Sequence, residues 1–239
     1  MGVAALVLAG GSGRRFGAQR NKVYLPLAGR TVLAWSLRTF ARMPEVERVV
    51  LVSRPDDREF LAEVLADELV GFSVEVVPGG DTRQGSELSG LRHLADGITA
   101  GAIDTVLIHD GARPLVSAEL VTAVIEGARE YGGAVPGLRR DGLARVDPTD
   151  PASERLAGPE PGPLVAVQTP QGFAAAPLLD AYRRADADGY RGTDTASCVR
   201  RYTDLPVRWV PGEEHNIKIT YAHDLVVAET LLRDRPPAD

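Results

Sequence analysis

Cysteine is almost absent from this sequence, which has only Cys198 among its 239 residues. An intrachain disulfide is therefore excluded, and nothing indicates an oxidising compartment. Cys198 falls in an expected helix without a clear base beside it. We therefore interpret it as a buried structural thiol rather than a nucleophile.

Long apolar runs and an excess of positive charge are also missing. No run approaches the ~20 apolar residues of a membrane span, and the first residues lack the basic segment of a signal peptide. We therefore expect a cytoplasmic protein without a membrane partner. The net charge of -6 argues against binding to nucleic acid, which favours a basic surface. A small anionic substrate remains compatible, because Arg and Lys can cluster locally in an acidic protein.

What the sequence does have is an alternation of short apolar, β-branched runs with helix-length segments. The first five strands are predicted at residues 3–8, 48–53, 73–77, 105–109 and 134–138. Helices are predicted between them at residues 32–42, 56–69, 84–94 and 118–131. Continuous apolar strands suit a sheet covered on both faces, and helical crossovers imply parallel strands. The sequence therefore predicts a single α/β domain over residues 1–239, with a doubly wound, Rossmann-like, mostly parallel sheet.

The alternation is interrupted at residues 139–163, where five prolines stand between Pro148 and Pro163. Prolines at this density make a helix improbable. The segment is predicted to be either a flexible insertion or a hairpin arm that protrudes from the domain. The predicted elements that follow are strands at 164–168 and 207–210 and helices at 177–187, 194–202 and 222–233.

A glycine-rich loop directly follows the first strand. Its glycines are Gly10, Gly11, Gly13 and Gly17. Glycines in such a loop allow backbone N–H groups to approach phosphate oxygens closely. Arg14 and Arg15 lie within the loop and Lys22 follows it, and such cations match phosphate oxygens. We therefore predict that the loop binds an anion.

Two familiar phosphate-binding motifs do not fit this loop. A P-loop needs Lys and then Ser or Thr directly after its last glycine, but Arg14 and Arg15 follow Gly13. A dinucleotide loop needs a small residue where Phe16 stands, and an acidic residue at the end of the second strand is missing. A hydride-transferring Rossmann enzyme is therefore disfavoured.

Polar residues also follow the later strands, at the edge where α/β sheets bind ligands. The loop GGDTRQGS contains Asp81, Arg83 and Ser86, and the motif HDGARP contains Asp110 and Arg113. The Asp110 carboxylate could hold a magnesium ion that bridges nucleotide phosphates, or could simply belong to a turn. Its neighbour His109 is interpreted as a buried core histidine.

Two further segments supply polar residues. QTPQGF places Thr169 at another strand end, and NIKIT places Lys218 between Ile217 and Ile219. In a strand, Lys218 would point away from the face that buries the two isoleucines.

In this order, the blocks AGGSGRR, NKVYLPL, GGDTRQGS, HDGARP, QTPQGF, TDTAS and NIKIT resemble the 2-C-methyl-D-erythritol 4-phosphate cytidylyltransferases of the non-mevalonate isoprenoid pathway. The resemblance extends over residues 3–232. It implies transfer of CMP from CTP to the polyol phosphate with release of pyrophosphate, a requirement for Mg²⁺, and a homodimer formed through an extended arm.

The resemblance also implies roles for individual residues. Arg15, Lys22 and Lys218 would contact the triphosphate and stabilise charge at the α-phosphorus. The residues Gly10, Gly11, Gly80, Asp81 and Ser86 would surround cytosine and ribose. Asp110 would lie near the ribose, the metal and the acceptor, while Arg113 and Thr169 would hold the acceptor phosphate.

The arm departs from the pattern of the family, which typically offers a Thr and an Arg to the acceptor across the dimer. Gly142 stands where the Thr is expected, and Arg155 is the nearest candidate for the Arg. Two alternatives therefore stay open. One is a cytidylyltransferase for another polyol phosphate, such as ribitol 5-phosphate, and the other is a nucleotide-binding relative without turnover.

Overall fold

The computed structural model describes residues 2–11, 21–146, 156–159 and 162–233. Within these residues, helices flank both faces of a central sheet of eight strands. The strands are β1 (Gly2–Leu8), β2 (Pro26–Leu27), β3 (Arg30–Thr31), β4 (Val46–Ser53), β5 (Glu75–Pro78), β6 (Ile103–Asp110), β7 (Gly133–Arg140), β8 (Ala144–Val146), β9 (Leu156–Pro159), β10 (Leu164–Val167), β11 (Gln171–Ala174) and β12 (Val207–Pro211). The helices are α1 (Val32–Ala41), α2 (Arg58–Glu68), α3 (Arg83–His93), α4 (Ala95–Thr99), α5 (Ala118–Tyr131), α6 (Ala175–Ala187), α7 (Thr195–Tyr202) and α8 (Ala222–Arg233).

The central sheet is mixed but mostly parallel. Its strand order is β10-β7-β11-β6-β1-β4-β5, and β12 pairs with β7. Strand β1 runs parallel to both β4 and β6, whereas β10 and β11 run antiparallel to their neighbours. The carboxyl ends of β1, β4, β5 and β6 therefore meet at one edge. The predicted doubly wound α/β fold is confirmed.

Alternate residues of β1 face opposite sides of the sheet, which is why the strand is apolar throughout. Val3, Ala5 and Val7 pack in the core that α1, α2 and α5 cover. Ala4 and Leu6 pack in the opposite core, which α3, α4, α6 and α7 cover. Cys198 lies in this second core with no exposed surface, and burial raises the pKa of its thiol to about 11. The thiol is buried, as predicted.

A third, smaller core anchors the segment that carries Lys218. Ile219 packs with Leu27, Leu115 and Ala228 and has no exposed surface. Residues 216–220 form no strand, contrary to the strand expected for NIKIT. The alternation of side chains nevertheless holds, because Ile219 is buried while Lys218 reaches a cavity at the edge of the sheet.

Further differences from the predicted elements concern short segments. The sequence does not predict strands β2, β3 and β11 or helix α4, and α2 is preceded by a 3-10 turn at Pro55–Asp57 rather than starting at residue 56. In the predicted arm, β8 and β9 pair antiparallel in a sheet separate from the central one. Among the residues that the structure describes, none of the helices is long and apolar enough to cross a bilayer.

Candidate active site

A cavity of about 710 Å³ lies at the carboxyl ends of β1, β5 and β6, within the usual size range for small-ligand sites. Eight residues with predicted site roles line it: Gly10, Gly11, Lys22, Gly80, Asp81, Ser86, Asp110 and Lys218. Gly13, Arg15 and Arg155 lie outside the described residues. The structure thus brings together side chains from four widely separated blocks of the sequence.

The loop after β5 forms one wall of the cavity. Its conformation depends on the Ser86 hydroxyl and on the absence of a side chain at Gly80. The Ser86 hydroxyl accepts from the Gly80 N–H at 3.1 Å and lies 3.3 Å from the Gly80 carbonyl. A Cβ at Gly80 would stand 2.9 Å from the backbone carbon of Gly85, closer than real contacts allow. Thr82 caps the following helix by accepting from the Gly85 N–H at 3.0 Å. These bonds hold the loop against the start of α3.

Asp110 is the centre of a buried charge cluster at the end of β6. Its carboxylate accepts from Arg83 Nη1 at 2.6 Å and from Lys218 Nζ at 2.7 Å, and Arg113 Nε lies 4.0 Å away. Burial by itself raises the pKa of Asp110, but Arg83 and Lys218 outweigh it and hold that pKa well below its usual range. Asp110 is therefore ionised and is not a cap of the next helix.

Arg83 joins this cluster to a second buried carboxylate. Its Nε donates to Glu87 Oε1 at 2.9 Å. Glu87 is 1% exposed and also accepts from the hydroxyls of Tyr182 and Thr195. The guanidinium is thus fixed between Glu87 and Asp110, with its orientation set by both.

Lys22 and Lys218 are the only two lysines of the chain, and both line the cavity. Among the described residues that line the cavity, these two lysines and Arg83 carry positive charge, whereas Asp81 and Asp110 carry negative charge. The described part of the cavity therefore has a positive balance, which favours an anionic ligand.

The backbone beside Lys22 is fixed by Asn21. The Asn21 amide donates to the carbonyl of Ala9 at 2.7 Å and to Asp57 Oδ2 at 3.0 Å. Its side-chain oxygen also accepts from the Val23 N–H and caps the 3-10 turn Lys22–Tyr24. These bonds tie the turn to the end of β1.

The segment that carries Lys218 is fixed in a similar way. The Asn216 amide donates to the carbonyl of Thr169 at 2.9 Å, and the Ile219 N–H donates to the carbonyl of Ala112 at 2.8 Å. Lys218 is therefore held at the cavity by hydrogen bonds from its neighbours Asn216 and Ile219 to the carbonyls of two strand-end turns.

Arg113 and Thr169, the predicted acceptor residues, lie beside the cavity rather than among the residues that line its described part. Arg113 Nη1 donates to the carbonyl of Asn216 at 2.7 Å, while its buried Nε has no hydrogen-bond partner in the described part of the chain. The Thr169 hydroxyl accepts from the Asp110 N–H at 3.0 Å. Their roles toward an acceptor stay predictions.

The sequence prediction gave no site role to Arg83, Glu87 or Asn21. The sequence nevertheless contains a feature that could have identified each of these residues. Arg83 and Glu87 are four residues apart on one helix face, directly after a strand-end loop. Asn21 immediately precedes Lys22. What the chain does not reveal is that Arg83 reaches Asp110, 27 residues away.

A magnesium ion needs oxygen ligands, which the protein and a bound phosphate group can supply together. Among the described residues, no group of three or more His, Cys, Asp or Glu side chains could hold a metal. Asp110 is one carboxylate facing the cavity, and Mg²⁺ is often held by one or two carboxylates together with substrate phosphates. The site fits that mode, in which the ligand supplies the remaining oxygens.

A parallel sheet with a glycine loop, a cation-lined cavity and a carboxylate at its strand ends defines the class as an α/β nucleotide-binding enzyme acting on phosphate groups. A family model described as 2-C-methyl-D-erythritol 4-phosphate cytidylyltransferase matches residues 3–234.

Individual relatives agree with the family model. The 2-C-methyl-D-erythritol 4-phosphate cytidylyltransferase of Thermobifida fusca is 40% identical over 97% of this chain and 93% of its own length. The crystal structure of the enzyme of that name from Thermus thermophilus is 34% identical, with a TM-score of 0.71 over 98% of this chain and all of that one. The 4-diphosphocytidyl-2C-methyl-D-erythritol synthase of Anaerococcus prevotii is 27% identical, with a TM-score of 0.82 over 97% of this chain and 98% of its own.

The chain belongs to the 2-C-methyl-D-erythritol 4-phosphate cytidylyltransferase family. The resemblance seen in the sequence blocks is thereby confirmed, and so is the prediction of a nucleotidyltransferase.

Proposed function

We propose that the chain joins CMP from CTP to 2-C-methyl-D-erythritol 4-phosphate and releases pyrophosphate, in the synthesis of isoprenoid precursors. Family membership supports this activity. The observation that carries the chemistry is the placement of both lysines of the chain, opposite a glycine loop, around one cavity.

In the transfer step, an oxygen of the acceptor phosphate forms a bond to the α-phosphorus of CTP. The bond from that phosphorus to the β-phosphate oxygen breaks, and pyrophosphate leaves with its electron pair. A phosphate monoester is already ionised near neutral pH, so the nucleophile needs no strong general base. The protein must instead bring two anions together in line and stabilise the charge that develops.

The residues divide this work. Lys22, together with Arg15, contacts the triphosphate, and Lys218 stabilises charge from the opposite side of the cavity. The Gly10–Gly11 and Gly80–Ser86 loops hold the cytidine through backbone groups. Arg83, fixed by Glu87, keeps Asp110 ionised and oriented between the two substrates.

Asp110 is also the residue that would hold Mg²⁺ in company with the phosphates. The ion would neutralise charge on the triphosphate. Arg83 and Lys218 already contact the Asp110 carboxylate. When CTP and Mg²⁺ are both bound, Lys218 would shift from Asp110 toward the phosphates.

For the acceptor, we propose that Arg113 and Thr169 act with Arg155 supplied by the arm of a second subunit in a homodimer located in the cytoplasm. The buried Nε of Arg113, which has no hydrogen-bond partner among the described residues, favours an anion at this end of the site. One observation favours a different acceptor substrate. Gly142, at a position where the family typically has a Thr, has φ +74° and no side chain. A cytidylyltransferase for ribitol 5-phosphate is therefore the alternative.

The test is pyrophosphate release by the purified protein with CTP and Mg²⁺, in the presence of methylerythritol phosphate, ribitol 5-phosphate or no acceptor. We expect release with methylerythritol phosphate alone. Release only with ribitol 5-phosphate would replace the proposed acceptor. No release with any acceptor, although CTP binds, would favour a nucleotide-binding relative without turnover. Substituting ATP, GTP or UTP tests the preference for cytosine.

A further inference from the structure

His109 is a buried histidine that directly precedes Asp110 at the end of β6. Its side chain has no exposed surface, and the ring of Phe40 contacts it edge-on, with 5.0 Å between ring centroids. It does not line the cavity, so it cannot touch a substrate there. Both of its ring nitrogens nevertheless have polar partners that belong to the site.

The two partners determine the protonation state of the ring. His109 Nε2 lies 3.2 Å from the carbonyl oxygen of Arg113, and a carbonyl only accepts, so Nε2 must carry the proton. His109 Nδ1 lies 3.2 Å from the Thr169 hydroxyl. That hydroxyl already accepts from the Asp110 N–H at 3.0 Å, which leaves its proton free to be donated to Nδ1. The ring is therefore neutral, with hydrogen on Nε2 only.

This arrangement links one ring to two proposed substrate-binding residues. On the Nδ1 side, the Thr169 hydroxyl fixes the backbone of Asp110. On the Nε2 side, the ring fixes the backbone of Arg113, whose own N–H donates to the Asp110 carbonyl at 2.9 Å. Small displacements of groups that orient reactants can reduce rates severely.

We propose that His109 is a positioning residue for nucleotidyl transfer, which orients Asp110 through the Thr169 hydroxyl and Arg113 through its backbone carbonyl. This inference rests on the proposed function.

Two substitutions separate the two sides of the ring. In His109→Gln, the side-chain amide can still donate to Arg113, but the acceptor for Thr169 is lost. In His109→Asn, the side-chain oxygen can still accept from Thr169, but the donor to Arg113 is lost. We expect His109→Gln to lower kcat and also to raise the KM for the acceptor, because Thr169 both orients Asp110 and is proposed to hold the acceptor phosphate. We expect His109→Asn to raise that KM without lowering kcat. Each change should be roughly 10- to 100-fold, with a smaller change in the KM for CTP.

Phe40→Leu is the matched control, because it removes the ring contact and leaves both hydrogen bonds. It should lower the Tm while keeping kcat and both KM values. If all three variants lost stability without any split between kcat and KM, or if both histidine variants kept wild-type kinetics, the proposal would be overturned.

Nitrogen NMR of the unmodified protein tests the geometry without turnover or substitution. We expect the His109 ring to carry a proton on Nε2 and none on Nδ1 at neutral pH. A charged ring, or a proton on Nδ1, would contradict the proposal even if the variants fail to fold. Absence of turnover in the wild-type protein would instead refute the proposed function, and this NMR result would still decide the hydrogen-bond arrangement.

Discussion

At the scale of single residues, the ion pairs of Asp110 show why the protein can lose one cation of the site and still fold. Asp110 is 7% exposed and pairs with both Arg83 and Lys218. A buried charge left without a partner costs several kcal/mol. Removing Lys218 leaves Arg83 in place, so Asp110 stays paired. The positive charge of the cavity, however, is reduced.

Replacing Lys22 or Lys218 by alanine should therefore slow the reaction without unfolding the protein. If each lysine stabilises transition-state charge as other electrostatic donors do, its loss costs about 3–4 kcal/mol, or roughly 10²–10³ in kcat. Steady-state pyrophosphate release measures the loss, and circular dichroism with thermal unfolding measures the fold.

Lys22→Arg and Lys218→Arg are the matched controls, because they keep the charge but change its geometry. They should recover part of the rate. Wild-type turnover in either alanine variant would refute the role of that lysine. An independent measurement is available because the chain has only two lysines: CTP with Mg²⁺ should protect both from an amine-reactive reagent.

At the scale of secondary-structure elements, the loop between β5 and α3 connects backbone shape to nucleotide binding. Gly80 lies so close to Gly85 that no side chain fits without a shift of the backbone. The shift would displace Asp81 and the Ser86 bonds from the cavity wall.

Gly80→Ala should consequently raise the Kd for CTP at least 10-fold, while the fold is retained. Isothermal titration calorimetry with CTP and Mg²⁺ gives the constant. The control is Gly90→Ala in helix α3, which follows this loop, where a Cβ would press on the side chains of Leu6 and Val52, away from the cavity. It should reduce Tm and leave CTP binding unchanged. Equal CTP affinity in Gly80→Ala and wild type would contradict this account.

The edge strand β5 offers a prediction for pH. Arg48 on β4 donates two hydrogen bonds to Glu75 on β5, and His93 Nε2 lies 2.6 Å from the same carboxylate. Arg48, with a smaller effect of His93, lowers the pKa of Glu75 to about 2 from 4.5. Because the folded-state pKa is depressed, the pair stabilises the protein above pH ~4.5, and this stabilisation disappears as the pH falls toward about 2. Both side chains are about one-third exposed, so the expected contribution is about 1 kcal/mol or less.

Urea unfolding of wild type and Glu75→Gln between pH 7 and pH 3 measures this contribution. The variant should be less stable at pH 7, and the difference should shrink below pH 4.5. A difference independent of pH would show that Glu75 acts through something other than its charge.

Most elements could be predicted because each is encoded locally. Residues 118–131 are predicted as a helix from the helix-length segment between two apolar runs, and that helix begins and ends at those residues. Strand β11, by contrast, has the sequence QGFA and exists because it pairs with β6 on one side and β7 on the other. Helix α4 follows α3 after a single residue, Leu94, and has no separate start signal. Both depend on contacts between distant segments.

The residues of the candidate site also divide into those that local sequence predicts and those that depend on contacts between distant segments. Strand-end motifs identified Gly80, Asp110 and Lys218, and the structure places them around one cavity. The contact of Arg83 with Asp110 could not be predicted, because it depends on how α3 packs against the sheet. The buried position of Thr169 could not be predicted either, because it follows from the bonds that Asn216 and His109 make to it.

At the scale of the whole molecule, the nucleotide end and the acceptor end of the site differ in whether one chain is expected to form them alone. The nucleotide end is built from loops at the carboxyl ends of the central sheet. The acceptor end is proposed to need the arm at 139–163, where β8 and β9 form a sheet of their own. A site shared across a two-fold axis makes a distinctive prediction for mixed dimers.

Mixing Lys22→Ala with Arg155→Ala subunits should restore activity, if Arg155 acts in the site of its partner. The mixed dimer then has one intact site, formed by Lys22 of one subunit and Arg155 of the other. Random exchange of subunits predicts about one-quarter of wild-type activity. Unmixed variants, treated identically, are the controls. Dimers that exchange subunits without gaining activity would place Arg155 in its own subunit's site or outside any site.

Quantification of the product formed from CTP and methylerythritol phosphate by the purified protein with Mg²⁺ decides whether the chain catalyses the proposed transfer. We expect one pyrophosphate released for each CMP joined to the acceptor phosphate, with loss of both products in Lys22→Ala. Stable binding of CTP without a cytidylylated product, or a product from ribitol 5-phosphate alone, would contradict this expectation.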